Sequence, residues 1–295
     1  MPPNPANQRA DVYLRNSIKR LSKHLDAAIA ELPGAPGVHA VRVSARRLRS
    51  VLRQFEDHLP PGMRRTQERL RDLAAGFSAL RDLDVLLGNL ERWSKKLEAE
   101  TLAPLVARLV GRRESLVTKA GKALKQWQTS GGREELEHLT RPGNWPEAAQ
   151  VTMGEIAPEI VHRAYEGFAR AVRRARRKAT LKRYHKLRIR GKRLRYVLTA
   201  LPGLFDSQAT PVLKGLVAVQ DAFGEYLDAN NAAQVLGGEK RRRGLKPETR
   251  GAIDKLIERC NRHSDKHLKK MPGLLERLDP QQWEGFMASV RGGSV

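Results

Sequence analysis

The sequence predicts an all-α fold of two four-helix bundles related by internal duplication. Three observations predict it. Apolar residues recur at steps of three and four nearly everywhere, as one face of a helix requires. No sustained alternation of apolar and polar residues marks a sheet. One segment also occurs twice: VHAVRVSARRLRSVL (Val38–Leu52) returns as YHKLRIRGKRLRYVL (Tyr184–Leu198), 146 residues later. The matching pairs include His39/His185, Arg42/Arg188, Arg46/Lys192, Arg47/Arg193, Leu48/Leu194, Arg49/Arg195 and Leu52/Leu198.

The first helix carries Leu14, Ile18, Leu21, Leu25 and Ile29 at steps of 4, 3, 4 and 4. Pro33-Gly34-Ala35-Pro36-Gly37 ends it, since proline and glycine interrupt helical backbone. The second helix carries Val41, Ala45, Leu48, Leu52 and Phe55, and Pro60-Pro61-Gly62 ends it. A third is expected from about Arg64 towards Lys96 with a break near Gly88, and a fourth over about Leu102–Gln128. Thr129–Pro146 has turn chemistry and weak periodicity, including Ser130-Gly131-Gly132 and Pro142-Gly143. The boundary between halves, 1–146 and 147–295, is set there.

The second half is expected to form helices over about Thr152–Lys178, Leu181–Leu201, Pro211–Leu236 and Pro247–Lys269, with a short tail helix over Pro280–Val290. Four helices twice, with short connections, suggest up-down bundles. The repeat also extends past the opening segment. Phe77–Asp82 (FSALRD) lies 146 residues before Phe223–Asp228 (FGEYLD), so each histidine precedes its aspartate by 43 residues. A spacing held across a helix, a turn and part of another helix indicates one supersecondary unit used twice.

Composition bounds the partners. Lys and Arg number 56 against 32 Asp and Glu, a formal charge of +24 and a pI near 10.8. That field attracts polyanions: nucleic acid, an acidic membrane surface or phosphate chains. The single cysteine, Cys260, excludes an intrachain disulfide and fits a reducing compartment. It reads as an ordinary core or surface thiol. The N-terminal MPPNPANQR has no apolar core of a signal peptide. No stretch approaches the roughly 18–20 apolar residues of a membrane span. The expectation is a soluble cytoplasmic protein without a membrane partner; the oligomeric state is left open.

The repeated segment separates into two faces at about 100° per residue. His39, Arg42, Arg46, Arg49 and Arg53 form one stripe, centred about 110° from the apolar face. His185, Arg188, Lys192 and Arg195 repeat it. Arg47, Arg193 and Lys186 lie further round. A charge run is usually a solvated face, but such a face interleaves acids to pair its bases. No acid occurs between Val38 and Gln54, and none between Ala169 and Ala200. Cations three and four apart repel one another unless an anion neutralises them. Guanidinium forks suit phosphate oxygens, and the histidines can donate hydrogen bonds or add charge.

The primary candidates for anion binding are therefore His39, Arg42, Arg46, Arg49, His185, Arg188, Lys192 and Arg195. Arg47, Arg53, Arg190, Arg193, Lys19, Lys23, Arg173 and Arg177 are secondary candidates. The basic run Arg170–Lys178 could widen the patch. Asp82 and Asp228 are assigned to orienting the cations through charge-assisted hydrogen bonds, against the alternative of weak surface ion pairs. Asp84 has Asn230 as its counterpart, so that acid is not duplicated. No catalytic residue, metal site or cofactor is assigned.

The patterns V-H-x-x-R-V-x-x-R-R-L-R, L-R-D-L-D-V-L and Y-H-x-L-R-I-x-x-K-R-L-R-Y resemble the CHAD domain, the conserved histidine α-helical domain. The resemblance covers nearly the whole chain. Leu216–Asp228 is similar to the family's L-Q-x-x-L-G-x-x-x-D segment, departing at Val219 and Phe223 where leucines are usual. The resemblance implies two four-helix bundles related by a pseudo-twofold axis. It also implies a basic surface that binds inorganic polyphosphate through His39, Arg42, Arg46, Arg49, His185, Arg188, Lys192 and Arg195, and association with polyphosphate granules. Some family members are fused to a CYTH triphosphatase domain with an E-x-E-x-K strand. Here the nearest string, Glu98-Ala99-Glu100-Thr101-Leu102, lacks the lysine, so the chain looks like a stand-alone CHAD protein.

Two rivals remain on the residues alone. A nonspecific nucleic-acid binder fits the charge, but aromatics are 5% of the chain and none interrupts the first stripe, which disfavours base stacking. An enzyme acting on polyphosphate or nucleotides would want carboxylates holding Mg²⁺. The G-x-x-x-x-G-K-[ST] loop is absent.

Overall fold

Two proline–glycine turns set the first three helices. In the computed structural model, which describes residues 4–94, 99–143, 145–201, 203–278 and 280–291, α1 spans Ala10–Ala30 and α2 spans Ala35–Gln54. Pro36 falls in the first turn of α2, where its missing N–H leaves no bond unmade. Gly62, at φ 87°, turns the chain into α3 (Met63–Gly76); only glycine takes that left-handed conformation without strain.

The break in the third helical segment lies at Gly76–Phe77 and not at Gly88. α4 starts afresh at Ser78 and runs to Trp93. A Cβ on Gly76 would come 2.3 Å from the Cβ of Ala123, whereas one on Gly88 would meet nothing within 4 Å. The glycine that matters is the one at a close helix approach. Gly88 is exposed and tolerated inside α4. Lys96 and Glu98 lie outside the described residues.

α5 spans Ala99–Thr129. The stretch read as turns contains a short helix, α6 (Gly132–His138). It is held by tertiary contacts: Thr66 donates to Glu135 at 2.9 Å, and Arg69 pairs with the same carboxylate. α7 spans Met153–Arg177, and the Glu155 carboxylate accepts the Thr152 N–H at 2.7 Å, a capping-box contact. α8 spans Leu181–Ala200, with the Thr180 hydroxyl accepting from the Arg183 N–H at 3.4 Å.

α9 runs unbroken over Asp206–Lys240, starting before Pro211. α10 runs over Pro247–Glu276, past Lys269 and through Pro272. Each proline forfeits one backbone bond, but α9 packs along α10, and Met271 and Leu275 are buried beyond the expected end. Packing outweighs the local signal. α11 spans Pro280–Arg291.

The chain is all-α, as expected. Among the described residues the only β-type pairing is an isolated antiparallel bridge between Arg9 and Thr152. There Ala10 N–H donates to Val151 C=O at 2.8 Å and Met153 N–H to Gln8 C=O at 2.9 Å. The bridge ties the starts of α1 and α7 together. Helix pairings run in the same order on both sides: α1–α2 and α7–α8, then α2–α3 and α8–α9. Across the halves, α2 meets α8, α4 meets α9, and α5 meets α10.

Two apolar cores result, and each draws on both sides of the 146/147 boundary. The larger joins Leu14, Leu48 and Leu70 to Phe168, Leu194 and Leu216. The smaller joins Leu86, Leu105 and Leu109 to Leu236, Ile253 and Leu256. Cys260 is buried in the smaller core, where burial pushes its thiol pKa up to about 11. That makes it unreactive at neutral pH. Among the described residues no helix is long and apolar enough to cross a membrane.

Candidate anion-binding groove

The contact between α2 and α8 decides where the two stripes go. Val41, Ala45, Leu48 and Leu52 bury one face of α2, and Leu187, Gly191, Leu194 and Leu198 bury one face of α8. Arg193 spans the contact, donating from Nε and Nη2 to Gln54 Oε1 at 3.1 and 2.9 Å. With the helices locked in this way, their cationic faces open into one groove of about 680 Å³.

Arg46, Arg49 and Arg53 line the groove from α2, and Arg188, Arg190, Lys192 and Arg193 line it from α8. Arg170 and Arg174 of α7 extend it, as do Arg183 and Lys186 near the start of α8. Eleven of the lining residues are cationic and none is acidic. Ser50, Gln54 and Tyr196 add polar groups.

This crowding shows in the proton affinities. Burial, and then Arg188, Arg46, Arg195 and Arg42, lower the Lys192 pKa to about 7. Burial also lowers Arg188, Arg42, Arg49 and Arg193 below the ordinary arginine value, though arginine still stays charged. Burial, then Arg81 and Arg46, lower His39. A site that lowers a lysine's pKa to about 7 is one that an anion would relieve. Arg42 and Arg188, 146 residues apart, both bury an Nε that has no hydrogen-bond partner among the described residues. A buried unsatisfied donor is costly.

The primary candidates divide. Arg46, Arg49, Arg188 and Lys192 line the groove. Arg42 stands beside them, close enough to depress Lys192. His39 and His185 are exposed and Arg195 is half-buried; none of the three is in the lining. Arg195 stacks its guanidinium 5.8 Å from the Tyr196 ring. Of the secondary candidates, Arg53, Arg190 and Arg193 line the groove, and Arg47 and Arg177 are exposed outside it. Lys19 and Lys23 belong to a separate hollow with Asp26 and Glu137. Arg173 belongs to another with Glu166 and Glu284. Those three line other hollows and are not in the groove lining.

Arg170 and Arg174 belong to the basic run expected to widen the patch, whereas Arg183 stands outside both stripes and that run. Their signal was in the sequence: Arg170 and Arg174 are four apart, off the buried face of Phe168, Ala171 and Ala175. Arg183 is partly committed, donating to the carbonyls of Arg174 at 2.7 Å and Lys178 at 3.2 Å.

The two aspartates sit at the Arg42–Arg188 side. Asp82 is exposed and lies 3.8 Å from Arg42, a loose pair of small worth. Asp228 keeps a water-accessible edge, yet enough protein surrounds it that desolvation pushes its carboxyl up, partly offset by Arg188. Asp84 does something else. It is buried and accepts from Arg113 Nε at 2.7 Å, while Arg113 Nη2 donates to the Pro33 carbonyl at 2.8 Å. It pins α4 to α5 and does not join Asp82.

Comparison with known proteins agrees with this frame. No curated protein sequence matches the chain. The crystal structure of the CHAD domain from the plant Ricinus communis superposes with a TM-score of 0.73 at 21% identity, covering 92% of this chain and 93% of that one. PptA from Streptomyces chartreusis gives 0.69 at 17% identity, covering 91% and 100%. At such identities the likeness is one of fold. The family model of the CHAD domain matches residues 12–237, a stretch that contains both stripes. The chain therefore belongs to the CHAD domain family.

Proposed function

We propose that the chain binds inorganic polyphosphate, without turning it over, in the groove between α2 and α8. The observation that carries this reading is the meeting of two cationic stripes in one acid-free groove. A linear polyphosphate is a uniform row of anions, and arginines from both helices offer it paired donors. The unsatisfied Nε atoms of Arg42 and Arg188 and the lowered pKa of Lys192 both favour a bound polyanion. The choice of polyphosphate among polyanions comes from the family resemblance.

The non-catalytic character rests on the lining. Phosphoryl transfer draws on Mg²⁺ held by carboxylates, and the lining residues include none. The same reading places the protein in the cytoplasm, at polyphosphate granules. Calorimetric titration with long-chain polyphosphate tests it: tight binding that weakens as salt rises is expected. Polyphosphate should displace DNA or RNA, and not the reverse. No binding at moderate salt, or preferential retention of nucleic acid, would overturn the proposal. Phosphate release during incubation with Mg²⁺ would overturn its non-catalytic part.

A further inference from the structure

We propose a second site, for a borderline divalent transition-metal ion such as Zn²⁺, formed by Glu225 of α9 with His263 and His267 of α10. Among the described residues these three form a group of His, Cys, Asp or Glu side chains whose ligand atoms all lie within 4.8 Å of one another. They lie outside the α2–α8 groove lining. His263 and His267 also lie beyond residues 12–237, the part that matches the family model. The site therefore does not rest on the polyphosphate reading.

The geometry comes from two packed helices. His263 and His267 are four apart in His-Ser-Asp-Lys-His, which puts both rings on one face of α10. Their centroids are 4.5 Å apart. Glu225 Oε2 stands 2.9 Å from His263 Nε2. A tetrahedral ion with bonds of about 2.0–2.1 Å holds its ligand atoms roughly 3.3 Å apart. Side-chain adjustments on the order of 1 Å would bring the three onto one ion.

Second-layer contacts support the arrangement. His267 buries its Nδ1 with no hydrogen-bond partner among the described residues. The Trp93 ring lies tilted against His263 at 6.2 Å, and Arg259 holds the Trp93 carbonyl. Neutral imidazole is the form that binds metal. Two nitrogens and one carboxylate suit Zn²⁺ and its neighbours better than Mg²⁺ or Ca²⁺, which prefer all-oxygen shells. Three protein ligands leave a fourth position open for water or an anion.

The test uses tag-free protein, stripped with a chelator and exchanged into phosphate-free buffer. Titration with Zn²⁺ should show one ion per chain. Glu225→Gln and His267→Gln should each weaken binding at least about tenfold, the lower end of what losing even an outer partner costs a metal site. Glu225 is exposed, so its variant tests the site even if a histidine change disturbs packing. Exposed His24 and His138 serve as controls, and His24→Gln and His138→Gln should bind as the parent does. Co²⁺ should give visible d–d absorption that His267→Gln loses. Absence of stoichiometric Zn²⁺, or equal affinity in Glu225→Gln, His263→Gln and His267→Gln, would overturn the proposal.

Discussion

The two halves of the chain carry the same stripe in different settings. On α2 the position facing the other half is Arg46; on α8 its counterpart is Lys192. Arginine keeps its charge under crowding, whereas the lysine is pushed to about 7. The supporting helices differ too. In the first half the segment against α2 breaks at Gly76–Phe77, where α3 presses on Ala123 of α5. In the second half Ala222 and Phe223 occupy the matching positions and α9 runs straight through. The aspartates differ less in exposure than in setting: both are exposed, Asp82 beside Arg42, and Asp228 beside Arg188 where surrounding protein pushes its carboxyl pKa up. A repeated pattern thus supplies a fixed ladder of cations, and the local packing decides how each one titrates.

Reversing a charge breaks the comparison most severely. Arg46→Glu and Lys192→Glu should each lower polyphosphate affinity roughly tenfold or more, as expected for losing charged hydrogen bonds. Circular dichroism should show unchanged helicity. Titration calorimetry on both variants reads the effect, and an unchanged affinity in either one moves the site elsewhere.

The helix break offers a stability test of the next size. Gly76→Ala puts a methyl 2.3 Å from the Cβ of Ala123. Overpacking of this kind costs about 1–3 kcal/mol, against a helix-propensity gain of up to about 1 kcal/mol. Net destabilisation in urea melts is expected, with recovery in the Gly76→Ala/Ala123→Gly double variant. A Gly76→Ala protein as stable as the parent would show that the break has another cause.

The pH dependence separates the two stripes more finely. Lys192 has its pKa lowered in the free protein, and a bound polyanion raises it again. Binding then takes up a proton above pH 7, so affinity falls several-fold between pH 7 and pH 9. Lys192→Arg should flatten this profile, because arginine stays charged throughout. A slope that survives the substitution assigns the titration to another group. The smallest effect belongs to Asp82→Asn, which removes a loose, exposed pair and should change stability by no more than about 1 kcal/mol.

Much of this was legible in the chain. The helical periods, the Pro33–Gly37 and Pro60–Gly62 turns and the two faces of the stripe are local properties, and they stand where spacing puts them. What was not legible depends on partners distant in sequence. Gly88 and Gly76 look alike in sequence, and only the approach of Ala123 distinguishes them. The expected helices begin at Pro211 and stop at Lys269, yet packing between α9 and α10 carries them through Pro211 and Pro272. Lys19, Lys23 and Arg173 look as basic as Arg174, but the fold places them in other hollows. His-Ser-Asp-Lys-His was visible at helical spacing; its carboxylate partner, Glu225, comes from 38 residues earlier on another helix.

The central claim is that both stripes form one site. Counting binding sites tests it most directly, by calorimetric titration with a short polyphosphate of defined length. One site per chain is expected, weakened as a whole by either Arg46→Glu or Lys192→Glu alone. Two sites per chain, one of them surviving unchanged in each variant, would contradict it.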